Sequence, residues 1–263
     1  MSCQRWKLSL AYNGEDFSGW QSQADRRAVQ DHIERALLDL AGEPLRIHGA
    51  GRTDAGVHAE GQCAHLDAPA HLASLNGINW RNALNTRLPL GIRILSAEPV
   101  AQDFHARFSA SRKTYRYRIA FGSVPRPSLA PVCWYRRRAS DPDELRWLAQ
   151  WLAGRHDFRR LSVNRRRRVE PVDTIRLVRS IIITRPHADQ VQIDVCGDGF
   201  LYKMVRMIVA SLIAVAEGLR PAGWLIDLLR HPSDPGKSPF CAPAHGLCLM
   251  RVDYTGQENR SAP

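Results

Sequence analysis

Apolar positions recur at two spacings along this chain, and each spacing names a kind of element. From Trp6 to Tyr12 they alternate, with Trp6, Leu8 and Leu10 on one face, which predicts a strand. Val29, Ile33, Leu37 and Leu40 recur at helical spacing, and Gly42 stands just past them as a stop. Leu45 to Ala50, Gln62 to Leu66 and Ile92 to Val100 read as strands, and Leu72 to Leu88 as a helix ended by Pro89. Thr114 to Ala120 alternates strictly: Tyr115, Tyr117 and Ile119 share one face, Arg116 and Arg118 the other. Asp141-Pro142-Asp143-Glu144 is a helix start, with an Asp N-cap, Pro in the first turn and Glu at the capping-box position. Ile175 to Thr184 and Val191 to Val195 are expected strands, Leu201 to Leu219 a long apolar helix, Trp224 to Arg230 a shorter one, and Leu247 to Tyr254 a last strand.

Strands and helices interleave, yet most connections are too short for right-handed crossovers, so the expected class is α+β with antiparallel sheet. Each half runs strand, loop, helix, further strands, which suggests two similar subdomains. The expected division is an N-terminal α+β subdomain over 1–108, a C-terminal one over 109–255, and a disordered tail over 256–263.

Composition narrows the picture little, and charge narrows it more. The 263 residues are 44% hydrophobic and 24% charged, enough to build a sizeable core. The longest apolar run, Met207 to Ala216, is interrupted by Ser211 and is too short to span a bilayer. The N-terminus has no apolar stretch of the signal-peptide kind. Six cysteines without a CxxC pair suit reduced thiols, so a cytoplasmic location is expected and a disulfide scaffold is not. Lys and Arg number 37 against 26 Asp and Glu, a net charge of +11, and only four of the cations are lysines. Such a chain attracts polyanions, and arginine suits bidentate phosphate contacts and stacking on bases. Codon bias accounts for the ratio of Arg to Lys but not for the net charge.

Four segments could carry chemistry. In Gly51-Arg-Thr-Asp-Ala-Gly-Val-His58, two glycines flank an Arg-x-Asp pair, and in extended geometry Arg52 and Asp54 point the same way. Asp54 is then either a nucleophile or base kept ionised by a guanidinium, or the cap of a turn paired with Arg52. Tyr115-Arg-Tyr-Arg118 fits stacking on unpaired bases with arginines on phosphates, and fits equally a half-buried strand with a charged outer face. Arg155 to Arg168 holds seven arginines, among them Arg165, Arg166, Arg167 and Arg168 in succession, as either a phosphate-binding or a solvated loop. Arg206 stands amid apolar residues, where it must reach the surface or a carboxylate. His48, His58, His65 and His71 form no metal-ligand spacing, and neither GxSxG nor a P-loop is present.

Taken in order, these blocks resemble the tRNA pseudouridine synthase A family of bacteria. The matching stretches are Tyr12-Asn-Gly-Glu-Asp-Phe-Ser-Gly-Trp-Gln21, Gly51 to His58 with Gly61-Gln62, Phe104-His-Ala-Arg107, Tyr115-Arg-Tyr117, His156-Asp-Phe158, Gly199-Phe-Leu-Tyr-Lys-Met-Val-Arg206 and Ala242-Pro-Ala-His-Gly-Leu247. The resemblance implies two related ferredoxin-like subdomains whose antiparallel sheets join across a central basic cleft. It implies isomerisation of uridine to pseudouridine at about positions 38–40 in the anticodon stem-loop of tRNA, by a homodimer that uses no metal or cofactor and no membrane. The family's catalytic aspartate maps onto Asp54, its neighbouring arginine onto Arg52, its active-site tyrosine onto Tyr115 and the arginine that pairs with the aspartate onto Arg206. Departures lie elsewhere: Arg159-Arg-Leu-Ser-Val-Asn-Arg-Arg-Arg-Arg168 replaces a Ser-Phe-Arg-Ala and Cys/Ser stretch, Lys203 stands where His is common, and Ala210 where Gly is. They bear on how the tRNA body is held and which uridine is modified. They leave two alternatives, a synthase for another RNA or position and a catalytically silent RNA-binding protein.

Overall fold

The face that Trp6, Leu8, Leu10 and Tyr12 share is buried, and it is the inner face of a strand. In the computed structural model, which describes residues 3–72, 75–163 and 173–255, the elements run in chain order. They are β1 (Gln4–Tyr12), α1 (Val29–Ala41), β2 (His48–Gly49), β3 (His58–Ala68), α2 (Gly77–Asn85), β4 (Ile92–Pro99), β5 (Ala110–Phe121), β6 (Trp134–Arg136), α3 (Pro142–Ala149), β7 (Gly154–Asp157), β8 (Ile175–His187), β9 (Gln190–Gly197), α4 (Met204–Ala216), α5 (Ala222–Arg230) and β10 (Leu247–Tyr254). The class is α+β. The chain forms two compact units, one of residues 1–111 with 248–263 and one of 112–247.

In the first unit β1 lies between β3 and β4, antiparallel to both, and β2 adds to β3. β10 pairs with β3 in parallel, Cys248 opposite His58 and Leu249 opposite Ala59. α1 buries Val29, Ile33, Ala36 and Leu37, and it ends where Gly42 turns left-handed at φ 74°. α2 begins only at Gly77, because the Asn76 side chain accepts from the Asn79 N–H and caps it there. The expected helix over Leu72 to Leu88 is thus nearly halved.

In the second unit β9 lies between β5 and β8, antiparallel to both, and β7 adds to β8. β6 runs parallel to β5. α3 starts as expected, the Asp141 carboxylate accepting from the Asp143 N–H. α4 is buried nearly all round, and Lys203, left-handed at φ 62°, delays its start to Met204.

The antiparallel sheet expected from sequence is corrected to a mixed one: among the described residues each unit contains a parallel pair. Both parallel strands, β6 and β10, join partners far along the chain or across an irregular connection. No tight hairpin dictates their direction.

Candidate active site

The glycine-flanked segment Gly51 to His58 sits in the first unit, between the end of β2 and the start of β3. Backbone and side chains tie it down at nearly every residue. The Ala50 N–H donates to the Cys63 carbonyl at 2.7 Å, and Gln62 Nε2 donates to the Gly51 carbonyl at 2.9 Å. The Trp20 N–H donates to the Thr53 carbonyl at 3.1 Å. Below it, Thr53 Oγ1 and the Tyr12 hydroxyl share a hydrogen bond of 2.8 Å, with Gln62 Nε2 3.4 Å from the same hydroxyl. The Val57 N–H closes a turn onto the Asp54 carbonyl at 3.1 Å, and the Gly14 N–H donates to His58 Nδ1 at 3.1 Å.

Three glycines make this fit possible. A Cβ on Gly14 would stand 2.2 Å from the Val57 carbonyl oxygen, and one on Gly49 2.4 Å from the Trp20 ring. Gly19 has φ +92°, and a Cβ there would stand 2.6 Å from the Thr53 carbonyl oxygen. The Tyr12 to Gln21 block is thus the cradle of the Asp54 loop, which explains why its glycines stand where they do.

The result is a half-exposed Asp54 on a backbone that cannot drift. Arg52 is exposed, and its Nε donates to Gln21 Oε1 at 3.2 Å. Burial pushes the Tyr12 hydroxyl far above its ordinary pKa, so it stays protonated and serves as a fixed strut. Thr53, Gln62 and Tyr12 are all buried. This polar layer is not foreseen from the sequence. Its only signal there is polar residues at core-facing strand positions, Tyr12 on β1 and Gln62 on β3.

The second unit holds Tyr115 and Arg206. Tyr115 is buried on β5, and its ring meets Phe200 edge-on at 5.3 Å between centroids. Arg206 projects from α4, and its Nε donates to the Ala242 carbonyl at 2.7 Å while the Ala242 N–H returns a bond to the Arg206 carbonyl. The Tyr117 hydroxyl donates to the Pro243 carbonyl at 2.8 Å. Together they anchor the Ala242 to Leu247 block. Of the alternating strand, Tyr117 is core, and Arg116 is bound bidentately by Asp194, both contacts at 2.7 Å. These two residues follow the half-buried-strand alternative.

Of the arginine-rich segment, Arg159 pairs with Asp157 at 2.8 Å, and Arg160 donates to the carbonyls of Asp227, His231 and Gly236. Both serve the fold. Arg165, Arg166, Arg167 and Arg168 lie outside the described residues. Among the described residues no group of three His, Cys, Asp or Glu side chains is arranged for a metal ion, and no helix is long and apolar enough to cross a membrane.

A family model described as tRNA pseudouridine synthase matches residues 9–109 and 148–255. A protein of Akkermansia muciniphila named tRNA pseudouridine synthase A is 44% identical over 252 residues, covering 95% of both chains. One of the same name from Limosilactobacillus reuteri is 38% identical over 254 residues, covering 95% of this chain and 96% of its own. Among solved structures, a chain of a Cbf5-Nop10-Gar1 complex aligns with 92% of this chain and 57% of its own at 11% identity and a TM-score of 0.35, too distant a likeness to bear on fold or function.

Proposed function

The chain belongs to the tRNA pseudouridine synthase family, and we propose that it isomerises uridine to pseudouridine at about positions 38–40 of the tRNA anticodon stem-loop. The observation that carries the proposal is the half-exposed Asp54 on a loop locked by Tyr12, Thr53, Gln62 and Trp20. A nucleophile held without slack brings its own contribution to the barrier, because orientation is settled before the substrate arrives.

The reaction breaks the bond between the ribose C1′ and uracil N1 and forms one from C1′ to C5. The C5 proton leaves and N1 gains one, so nothing enters or departs overall. The target base must first leave its stack, at a cost of a few kcal/mol that phosphate contacts by arginines offset. In this proposal Asp54 is the nucleophile or base, and Arg206 and Arg52 assist it. Tyr115 stacks on the extruded uracil and assists proton transfer at its carbon. Arg165, Arg166, Arg167 and Arg168 hold phosphates of the tRNA. The two units are proposed to be related ferredoxin-like subdomains of a cytoplasmic homodimer that needs no cofactor.

Incubating the purified protein with an unmodified tRNA transcript, without added metal or cofactor, tests this when pseudouridine is mapped at single-nucleotide resolution. Product at positions 38 to 40 is expected. Product elsewhere moves the substrate, and binding without product favours a silent RNA-binding protein.

A further inference from the structure

Outside the proposed catalytic residues, one feature of the first unit is built in the same locked manner and has no part in the chemistry above. Phe108 stands with 76% of its surface exposed. An isolated exposed ring is ordinary on a protein surface. This one is held in place. The Phe108 N–H and the Arg107 N–H both donate to His105 Nδ1, at 3.3 and 3.1 Å. The His105 N–H is 2.9 Å from Ser109 Oγ, and the Ser109 N–H returns to the His105 carbonyl. Ala106 is clamped on both sides, its N–H by His65 Nδ1 at 3.2 Å and its carbonyl by the Tyr254 hydroxyl at 2.8 Å.

The rings continue beneath. Phe108 lies on His105 with centroids 4.3 Å apart, His105 meets His65 at 4.6 Å, and His65 stacks on His48 at 5.1 Å. The Arg107 guanidinium sits 5.6 Å from the Phe108 centroid and makes no ion pair among the described residues. His48 stands four residues before Arg52 in the chain.

From this geometry we infer that Phe108, backed by His105 and flanked by Arg107, is a stacking platform for an unpaired nucleobase of the RNA substrate. The inference rests on the proposed RNA-modifying function. A flat, rigid ring beside an exposed guanidinium matches a base and its phosphate. The neighbouring Arg107 is exposed, and a chain of net charge +11 favours a polyanion as the occupant. Rigidity matters because a preordered ring binds without the entropic cost of ordering a loop.

The test measures the affinity of Phe108→Ala, Phe108→Leu and Phe108→Trp for an unmodified tRNA transcript. Sedimentation, melting temperature and pseudouridine formation are followed in parallel. Because the ring is exposed, all three variants are expected to melt and sediment as the wild type does. Phe108→Ala and Phe108→Leu should weaken binding about 5- to 100-fold, while Phe108→Trp keeps it within about threefold. The loss should appear in KM far more than in kcat. If Phe108→Leu binds tRNA as tightly as an active wild type, the platform is refuted. If Phe108→Ala lowers the sedimenting mass, Phe108 is a subunit contact and the platform is refuted as well. A wild type that makes no pseudouridine overturns the underlying function instead, and is seen independently of the variants.

Discussion

The hydroxyl of Tyr12 lies 2.8 Å from Thr53 Oγ1, in the buried layer directly beneath the residue that precedes Asp54. The bond ties strand β1 to the loop and leaves the loop one rigid position. Tyr12→Phe removes only the oxygen, and leaves the Thr53 hydroxyl and Gln62 amide one partner short in the core. The expected loss of stability is about 1–3 kcal/mol. The expected loss of single-turnover rate is about tenfold or more, with tRNA affinity nearly unchanged, because a displaced Asp54 costs orientation rather than binding. Denaturant unfolding and single-turnover kinetics check the two parts separately.

Gly19 and Gly42 both have positive φ, and they make a controlled pair. A Cβ at Gly42 meets nothing within 4 Å, whereas one at Gly19 collides with the Thr53 carbonyl. Gly42→Ala should therefore cost only the left-handed conformation, about 1–2 kcal/mol, with full activity. Gly19→Ala should cost more than that and should also lower turnover at temperatures where the protein remains folded. Equal activity in the two folded variants would show that the loop tolerates displacement.

His65 makes stability depend on pH. Its burial, followed by the fields of His105, His48 and Arg5, lowers its pKa from 6.5 to about 4, against a smaller opposing effect of Asp67. His105 is lowered in the same direction, first by burial. Above pH 6.5 both folded and unfolded chains carry neutral His65, and it contributes no pH dependence. Between 6.5 and 4 the unfolded chain takes up a proton that the folded chain refuses, so stability falls as pH falls and flattens below about 4. The loss is on the order of 3 kcal/mol. His65→Asn keeps an acceptor for the Ala106 N–H and does not titrate. Its unfolding free energy should decline less steeply between pH 7 and 5 than that of the wild type.

Local patterns carried much of this fold in the sequence. The alternation at Trp6 to Tyr12 and at Tyr115 to Ile119, the stop at Gly42 and the cap at Asp141 all reappear as strand faces and helix ends. They are legible because each depends on residues within a turn or a strand of one another. What escaped depends on neighbours distant in sequence. The short strands β6 and β7 exist only through their pairing with β5 and β8. Tyr12, Thr53 and Gln62 meet across as many as 50 residues. His48 and His65 show no metal-ligand spacing in the sequence, and their ring row with His105 appears only when β2 pairs with β3. Asp54 could be singled out because Gly51 to His58 is contiguous. The reason for its glycine-rich cradle at Gly14 and Gly19 could not be.

The most direct measurement is Asp54→Asn, compared with the wild type for tRNA binding and for pseudouridine formed on an unmodified transcript. The change removes the charge and nucleophilicity of the carboxylate while keeping its size and the backbone turn to Val57. We expect tRNA affinity within a few fold of the wild type and no detectable pseudouridine, even at enzyme in excess over RNA. Wild-type turnover in Asp54→Asn would contradict the assignment of Asp54 as the catalytic group.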